Sequence, residues 1–301
     1  MTKERVGFIG VGLMGHGMAK NILEKGFPLA IMGNRNRAPV DDLVGRGAVE
    51  KKSAKDLAAT VDVLFLCVTD SEAVERIVRG KDGILAGAHP GLVVVDCSTA
   101  NPVSTETIAS ELMSAGVAFA DAPLGGTPAQ AETGQLSAMV GASPEVFKRI
   151  EPVIATWAGR ITHLGPIGTG HKMKLLNNFL SLGYAAIYAE ALAIGEKVGI
   201  SVETFDSVIR GSRMDCGFYQ TFMGYALDGN RDSHKFSISN AAKDMRYVDA
   251  MANAQKMSNP VSAAAKNLFA AAAGSGMAEN YVPHLVDFVA SQNGFARKGR
   301  G

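Results

Sequence analysis

Residues 6–27, VGFIGVGLMGHGMAKNILEKGF, pass without a break from an apolar run of strand length into a glycine-spaced turn and then a helical pattern. The glycines Gly10, Gly12 and Gly15 stand in the order G-x-G-x-x-G. A strand handed straight to a helix through such a turn constrains the fold strongly. Gly10 permits the tight turn, Gly12 lets a diphosphate approach the backbone, and Gly15 lets the helix pack closely on the strand. Leu13 and Met14 complete the same cradle, which faces the unpaired N–H groups of the helix start.

The pattern repeats. Up to about residue 165, the runs RVGFIG, PLAIMGN, VDVLFLCV, GLVVVDCS and VAFADAPL alternate with amphipathic or capped segments, and QLSAMVGAS and RITHLG add two more strands. Strand–helix alternation predicts a Rossmann-like, doubly wound, mostly parallel sheet covered on both faces. After Gly170 the texture changes. HKMKLLNNFLSLGYAAIYAEALAIGEKVG has no proline and reads as one helix on the order of 40 Å long. SVETFDSVIRG, ISNAAKDMRYVDAMANAQKM, NPVSAAAKNLFAAAAGSG and HLVDFVASQN continue in helical pattern. The expected domains are a nucleotide-binding domain over 1–166 and an all-α domain over 167–301, joined by the long helix.

Composition mainly excludes. With 30 Lys+Arg against 29 Asp+Glu, the net charge of +1 gives no reason to expect nucleic acid or an anionic membrane as partner. The basic end ARKGRG reads as a solvated tail. Cys67, Cys97 and Cys216 are too scattered for a disulfide framework or a zinc site, so no metal is expected and a reducing compartment is. With no signal peptide and no long uncharged apolar stretch, the expected location is the cytoplasm.

At the end of the second strand, NAD-preferring sites carry an acid that binds the ribose hydroxyls. Here the residues are IMGNRNR, with Asn34 and Arg35 in that place, Arg37 close by, and no carboxylate until Asp41. A guanidinium fits a 2′-phosphate, so NADP is expected over NAD. Val68 and Thr69, and Ser98 and Thr99, lie at the lips of two later strands, where cofactor contact and helix capping are equally open readings. On the long helix, Lys174 and Asn178 are four residues apart and share a face, with Asn177 beside them, while Lys172 points elsewhere. On spacing alone this face reads equally as a proton-transfer site or a solvated helix start.

The glycine turn, DCST, DAPLGGTPAQAETGQLSAMVGA, GTGHKMKLLNN and AAKDM stand in one order along nearly the whole chain, and in that order the sequence resembles the β-hydroxyacid dehydrogenases. The resemblance implies Lys174 as general acid/base, Asn178 binding substrate beside it, and Lys243 reaching the cofactor with support from Asp244. It also implies homodimers or homotetramers built through the helices, and NRNR is similar to the strand end of the NADPH-using semialdehyde reductases. One departure stands out. The family's loop reads Asp-Ala-Pro-Val-Ser-Gly-Gly, and here Gly125 replaces the serine that helps hold the substrate carboxylate. Thr127 supplies a hydroxyl two positions on, and the N–H groups of Gly125, Gly126 and Thr127 form a candidate anion nest. Arg213 is a candidate anion partner from the helical domain.

The expected reaction interconverts a small 3-hydroxy acid and its semialdehyde, with hydride passing to or from the nicotinamide and Lys174 serving the oxygen. Enclosure should pull the lysine pKa toward neutrality. The alternatives are a related small carbonyl bearing a sulfonate, phosphonate or other acid group, and, from another class, an NADP-binding sensor or chromatin-associated module.

Overall fold

A computed structural model gives the structure of the protein and describes residues 3–297. It divides into two compact units, Met1–Lys174 and Leu175–Gly301, so the joint falls within a helix.

The strands of the first unit are β1 (Val6–Ile9), β2 (Leu29–Met32), β3 (Val49–Lys51), β4 (Val63–Leu66), β5 (Val93–Asp96), β6 (Ala118–Asp121), β7 (Leu124–Gly125), β8 (Leu136–Gly141) and β9 (Ala158–Gly165). They form one nine-stranded sheet in the order β3-β2-β1-β4-β5-β6-β8-β7, with β9 on β8. From β3 to β6 every pairing is parallel, and β8 enters antiparallel against β6. The order reverses at β1, so its carboxyl end, where the glycine turn begins, is the topological switch point of the sheet. Ligands bind at this point in open α/β sheets.

The helices are α1 (Gly15–Glu24), α2 (Ala38–Gly45), α3 (Ala54–Ala58), α4 (Ser71–Arg79), α5 (Pro102–Ser114), α6 (Pro128–Glu132) and α7 (Pro144–Ile154). Side chains alternate strictly across the sheet. Val6, Phe8, Val63, Phe65, Val93 and Val95 face one apolar layer with Met18, Ile22 and Trp157. Ile9, Leu64, Leu66 and Val94 face the other, with Leu57, Val78, Ile108 and Leu112. Strands apolar on both faces are what two covering layers require. Each fully buried large apolar side chain contributes about 1.5–3 kcal/mol.

Helix α8 (Thr169–Lys197) leads into the second unit, followed by α9 (Val202–Ile209), α10 (Gly217–Asp228), α11 (Ile238–Ala254), α12 (Pro260–Ala272) and α13 (Leu285–Gln292). Leu182, Ala185, Ala189 and Leu192 of α8 pack with Phe222, Met245, Phe269 and Leu285. Small residues such as Ala185, Ala189 and Ala241 let the helix axes approach. Helix α8 carries charged and amide groups along its length, and among the described residues no helix is long and apolar enough to cross a membrane.

The sequence pattern missed β3, β7 and α10. Each lacks a clear period: β3 is three residues of an edge strand, and α10 opens on Gly217 and mixes aromatics with Gly224. The basic terminus needs correction. Residues 298–301 lie outside the described residues, but Arg297 is no solvated tail. Its guanidinium lies 3.4 Å from Glu196, 3.5 Å from Asp287 and 3.0 Å from the Ala226 carbonyl.

Candidate nucleotide and catalytic site

The glycine turn is built as its spacing requires. Gly10 has φ +100°, and a Cβ there would meet the Cys67 carbonyl at 2.1 Å. A Cβ on Gly15 would lie 2.0 Å from the Gly10 carbonyl, so helix and strand touch there. At Gly12 a Cβ would meet nothing within 4 Å, which leaves open the approach a diphosphate needs. Helix α1 has no side-chain cap and no acidic residue in its first turn. By contrast, α3, α4, α5, α6 and α7 all have side-chain caps. The exposed N–H groups and the room above Gly12 fit a dinucleotide diphosphate.

After β2, Arg35 is exposed and its guanidinium forms no hydrogen bond or ion pair with the described residues. Arg37 differs. It grips both carboxylate oxygens of Glu50, at 2.6 and 2.8 Å, and reaches Asp41 at 3.1 Å. The Arg37 guanidinium holds the Glu50 carboxyl below its usual range, chiefly through this hydrogen bonding. A Cβ on Gly33 would strike this pair at 2.4 Å from Glu50 and 2.6 Å from Arg37, so the glycine makes room for it. Glu50 is a carboxylate near the strand end that was not legible in the sequence, because β3 was not.

At the lips of β4 and β5 the capping alternative falls away. Asp70 caps α4 by accepting from Ala73 N–H at 2.7 Å, and Asn101 caps α5 by accepting from Val103 N–H at 3.2 Å. That leaves Val68, Thr69 and Thr99 on the turns before these helices. The buried Ser98 hydroxyl accepts from Val68 N–H at 3.1 Å and ties the two strand ends together. Cys67 is no candidate nucleophile: burial pushes its thiol up to about 12.

In the loop from β6, Gly125 lies in β7 opposite Ser137 of β8. A Cβ at Gly125 would lie 2.5 Å from Ser137 Oγ, so a neighbouring hydroxyl occupies the space where the family's serine would begin. Gly126 has φ +129°. Thr127 caps α6 in a reciprocal box with Gln130, and its N–H donates to Gln130 Oε1 at 2.9 Å. One of the three N–H groups counted for an anion nest is therefore used within the chain.

Lys174 is half-buried on the second turn of α8. Lys172 points elsewhere, to Glu106 at 2.8 Å. Asp121, at the end of β6, is fully buried and accepts from the N–H groups of Gly168 and His171, at 2.6 and 2.7 Å. Burial pushes its carboxyl up, against the opposing pull of His171 and those two N–H groups.

Within the second unit, Asn178 is buried and donates to Asp244 Oδ2 at 2.6 Å. Lys243 Nζ lies 3.3 Å from Asp244 Oδ1, within ion-pair range but without a directed hydrogen bond. The buried carboxylate thus orients an amide and holds a cation. Asn177 is exposed and donates to Asn178 Oδ1 at 3.3 Å. Arg213 is exposed on the turn between α9 and α10. No group of three or more metal-ligating side chains occurs among the described residues.

Two family descriptions match the chain in succession: the NAD binding domain of 6-phosphogluconate dehydrogenase over residues 5–165, and the NAD-binding of NADP-dependent 3-hydroxyisobutyrate dehydrogenase over 168–288. An NAD-dependent L-serine dehydrogenase of Pseudomonas aeruginosa is 32% identical over 92% of this chain and 94% of its own. The chloroplastic glyoxylate/succinic semialdehyde reductase 2 of Arabidopsis thaliana is 29% identical over 91% of this chain and 76% of its own. A solved structure described as Psf3 in complex with NADP+ and 2-OPP superposes with a TM-score of 0.82, at 28% identity over 94% of this chain and 99% of that one. The open glycine turn at the switch point and the helical unit that follows in sequence are therefore those of relatives aligned over most of their length, and the chain belongs to the β-hydroxyacid dehydrogenase family of oxidoreductases.

Proposed function

We propose that the protein is an NADP(H)-dependent enzyme interconverting a small 3-hydroxy acid and its semialdehyde, with Lys174 as general acid/base. When bound, the nicotinamide coenzyme supplies or takes up the hydride. In the reductive direction the Lys174 ammonium gives a proton to the developing alkoxide, and in oxidation the free amine takes it back. Asn178, its amide fixed by Asp244, offers a second polar contact to the substrate. Gly125, Gly126, Thr127, Asn177 and Arg213 are the residues assigned to the acid end of the substrate, and Lys243 is assigned to the cofactor. Gly10, Gly12, Leu13, Met14 and Gly15 cradle the diphosphate, with Val68, Thr69 and Thr99 along the strand lips.

The observation that carries the cofactor preference is the contrast between two arginines. Arg37 is consumed by Glu50, which neutralises the nearby carboxylate, while Arg35 keeps its guanidinium for a 2′-phosphate. Steady-state assays with NADPH and NADH against a panel of semialdehydes test both halves of the reading. A preference for NADH, or no turnover of any semialdehyde, would overturn it.

A second substrate reading has its own support. With Ser137 Oγ over Gly125, the acid-binding corner differs in shape from a loop bearing serine at that position. A sulfonate or phosphonate in place of the carboxylate suits such a corner, and the same panel separates the two. The free cysteines fit a cytoplasmic location. Along α8, Leu180, Tyr184, Ile187 and Ile194 form an exposed apolar stripe at helical spacing, with Val198 exposed just past its end, which supports self-association. Ile187→Glu should shift the protein to a smaller species in sedimentation velocity.

A further inference from the structure

The start of α8 is fastened from two sides. On one side lies Asp121, whose two oxygens accept from Gly168 N–H and His171 N–H. The fit around this carboxylate leaves no slack. A Cβ at Gly170 would lie 2.4 Å from the Met139 carbonyl and 2.8 Å from Asp121 Oδ2, and one at Gly141 would lie 2.5 Å from Asp121 Oδ1. On the other side the fully buried His171 ring meets Thr105 Oγ1 at 2.7 Å through Nδ1. Thr105 Oγ1 also lies 3.1 Å from the Asn101 carbonyl, which holds the hydroxyl in place beside the ring. Backbone and side chain of the first turn are thus held by different strands and helices. Together these contacts fix the position of this first turn.

Lys174 follows His171 by three residues, less than one turn later. We propose that Asp121 is a positioning residue for proton transfer: its buried carboxylate sets where the Lys174 amine stands. This rests on the reading of Lys174 as the acid/base. A group misplaced by about 1 Å can lose on the order of 100-fold in rate, so a clamp this close to the reacting amine matters to turnover. Asp121 lies three strands from β1, about 14 Å at ~4.8 Å per strand, so the glycine turn is outside its reach.

Asp121→Asn keeps the size but has only one accepting oxygen for two N–H donors. With the best semialdehyde of the panel, kcat should fall roughly 10–100-fold. The dissociation constant for NADPH, read by fluorescence, should stay within about twofold, since the diphosphate cradle is untouched. The isotope effect on kcat with C4-deuterated NADPH should rise as the chemical step becomes limiting. In a Lys174→Ala background, Asp121→Asn should cost almost nothing further, because two residues acting through one group are not additive. Gly170→Ala, which retains the carboxyl group but forces the first turn of the helix away from it, should give the same pattern and decides the matter if Asp121→Asn does not fold. Unchanged kcat and isotope effect in a folded variant would overturn the proposal. So would activity and NADPH binding lost in equal proportion with the isotope effect unmoved, which marks only fewer folded molecules. If instead Lys174→Ala keeps its turnover, the acid/base reading itself is at fault.

Discussion

Helices α1 and α8 both begin after glycine-rich stretches, GVGLMG and GPIGTG, and their first turns are finished in opposite ways. The start of α1 has no side-chain cap, no acidic residue in its first turn and open space above Gly12. The start of α8 is filled by a buried carboxylate from β6, with two glycines pressed against it. A helix start always presents unpaired N–H groups, and something must satisfy them. In α1 they are left to a ligand. In α8 the chain satisfies them itself and gains a fixed platform for Lys174. Two of the glycines therefore do different work: Gly12 leaves room for a ligand, and Gly170 lets the chain close on Asp121.

Four substitutions break or sharpen this contrast. The largest effect is expected at the platform: Lys174→Ala should lower kcat by about 1,000-fold or more while NADPH binding and the melting temperature hold, because general acid–base catalysis alone contributes up to about 10⁴. Stopped-flow and fluorescence titration check the two halves. Next comes the open start. Gly15→Ala drives a Cβ to 2.0 Å from the Gly10 carbonyl, and the displaced turn should weaken NADPH binding roughly 100-fold in calorimetry. Arg35→Ala should cost NADPH about 10–100-fold in kcat/KM and leave NADH nearly unchanged, as expected for loss of one or two charge-assisted hydrogen bonds. The smallest effect lies in the locked start. Thr105→Val leaves His171 Nδ1 without its hydrogen-bond partner and should cost about 1–3 kcal/mol in urea unfolding. If Thr105→Val costs nothing, the lock on that side is weaker than its geometry suggests.

Much of this was legible beforehand, and unevenly so. The sheet strands near the switch point could be read because each is a short apolar run between turn residues, and α8 because nearly thirty residues pass without proline. Before α4 and α5 the sequence left capping and cofactor contact equally open, since neighbouring Thr, Asp, Ser and Asn all have capping chemistry and only backbone geometry selects among them. Arg297 looked like part of a charged tail because its partners, Glu196 and Asp287, are 101 and 10 residues away along the chain. Glu50 escaped notice for a similar reason: it reaches the end of β2 only through the pairing of β2 with the short β3.

Local order was written in the sequence itself: a glycine turn between an apolar strand and a helix, two domains of different texture, and a lysine and an amide one turn apart. Backbone sterics and periodic burial act over a few residues, so they leave a signature that can be read in order. Only the tertiary structure decided that Arg37 is spent on Glu50, that Ser137 stands over Gly125, and that Asp121 holds the first turn of α8. Those contacts join residues far apart in the chain, and their strength comes from burial and close fit, which exist only once the sheet and its helices have come together.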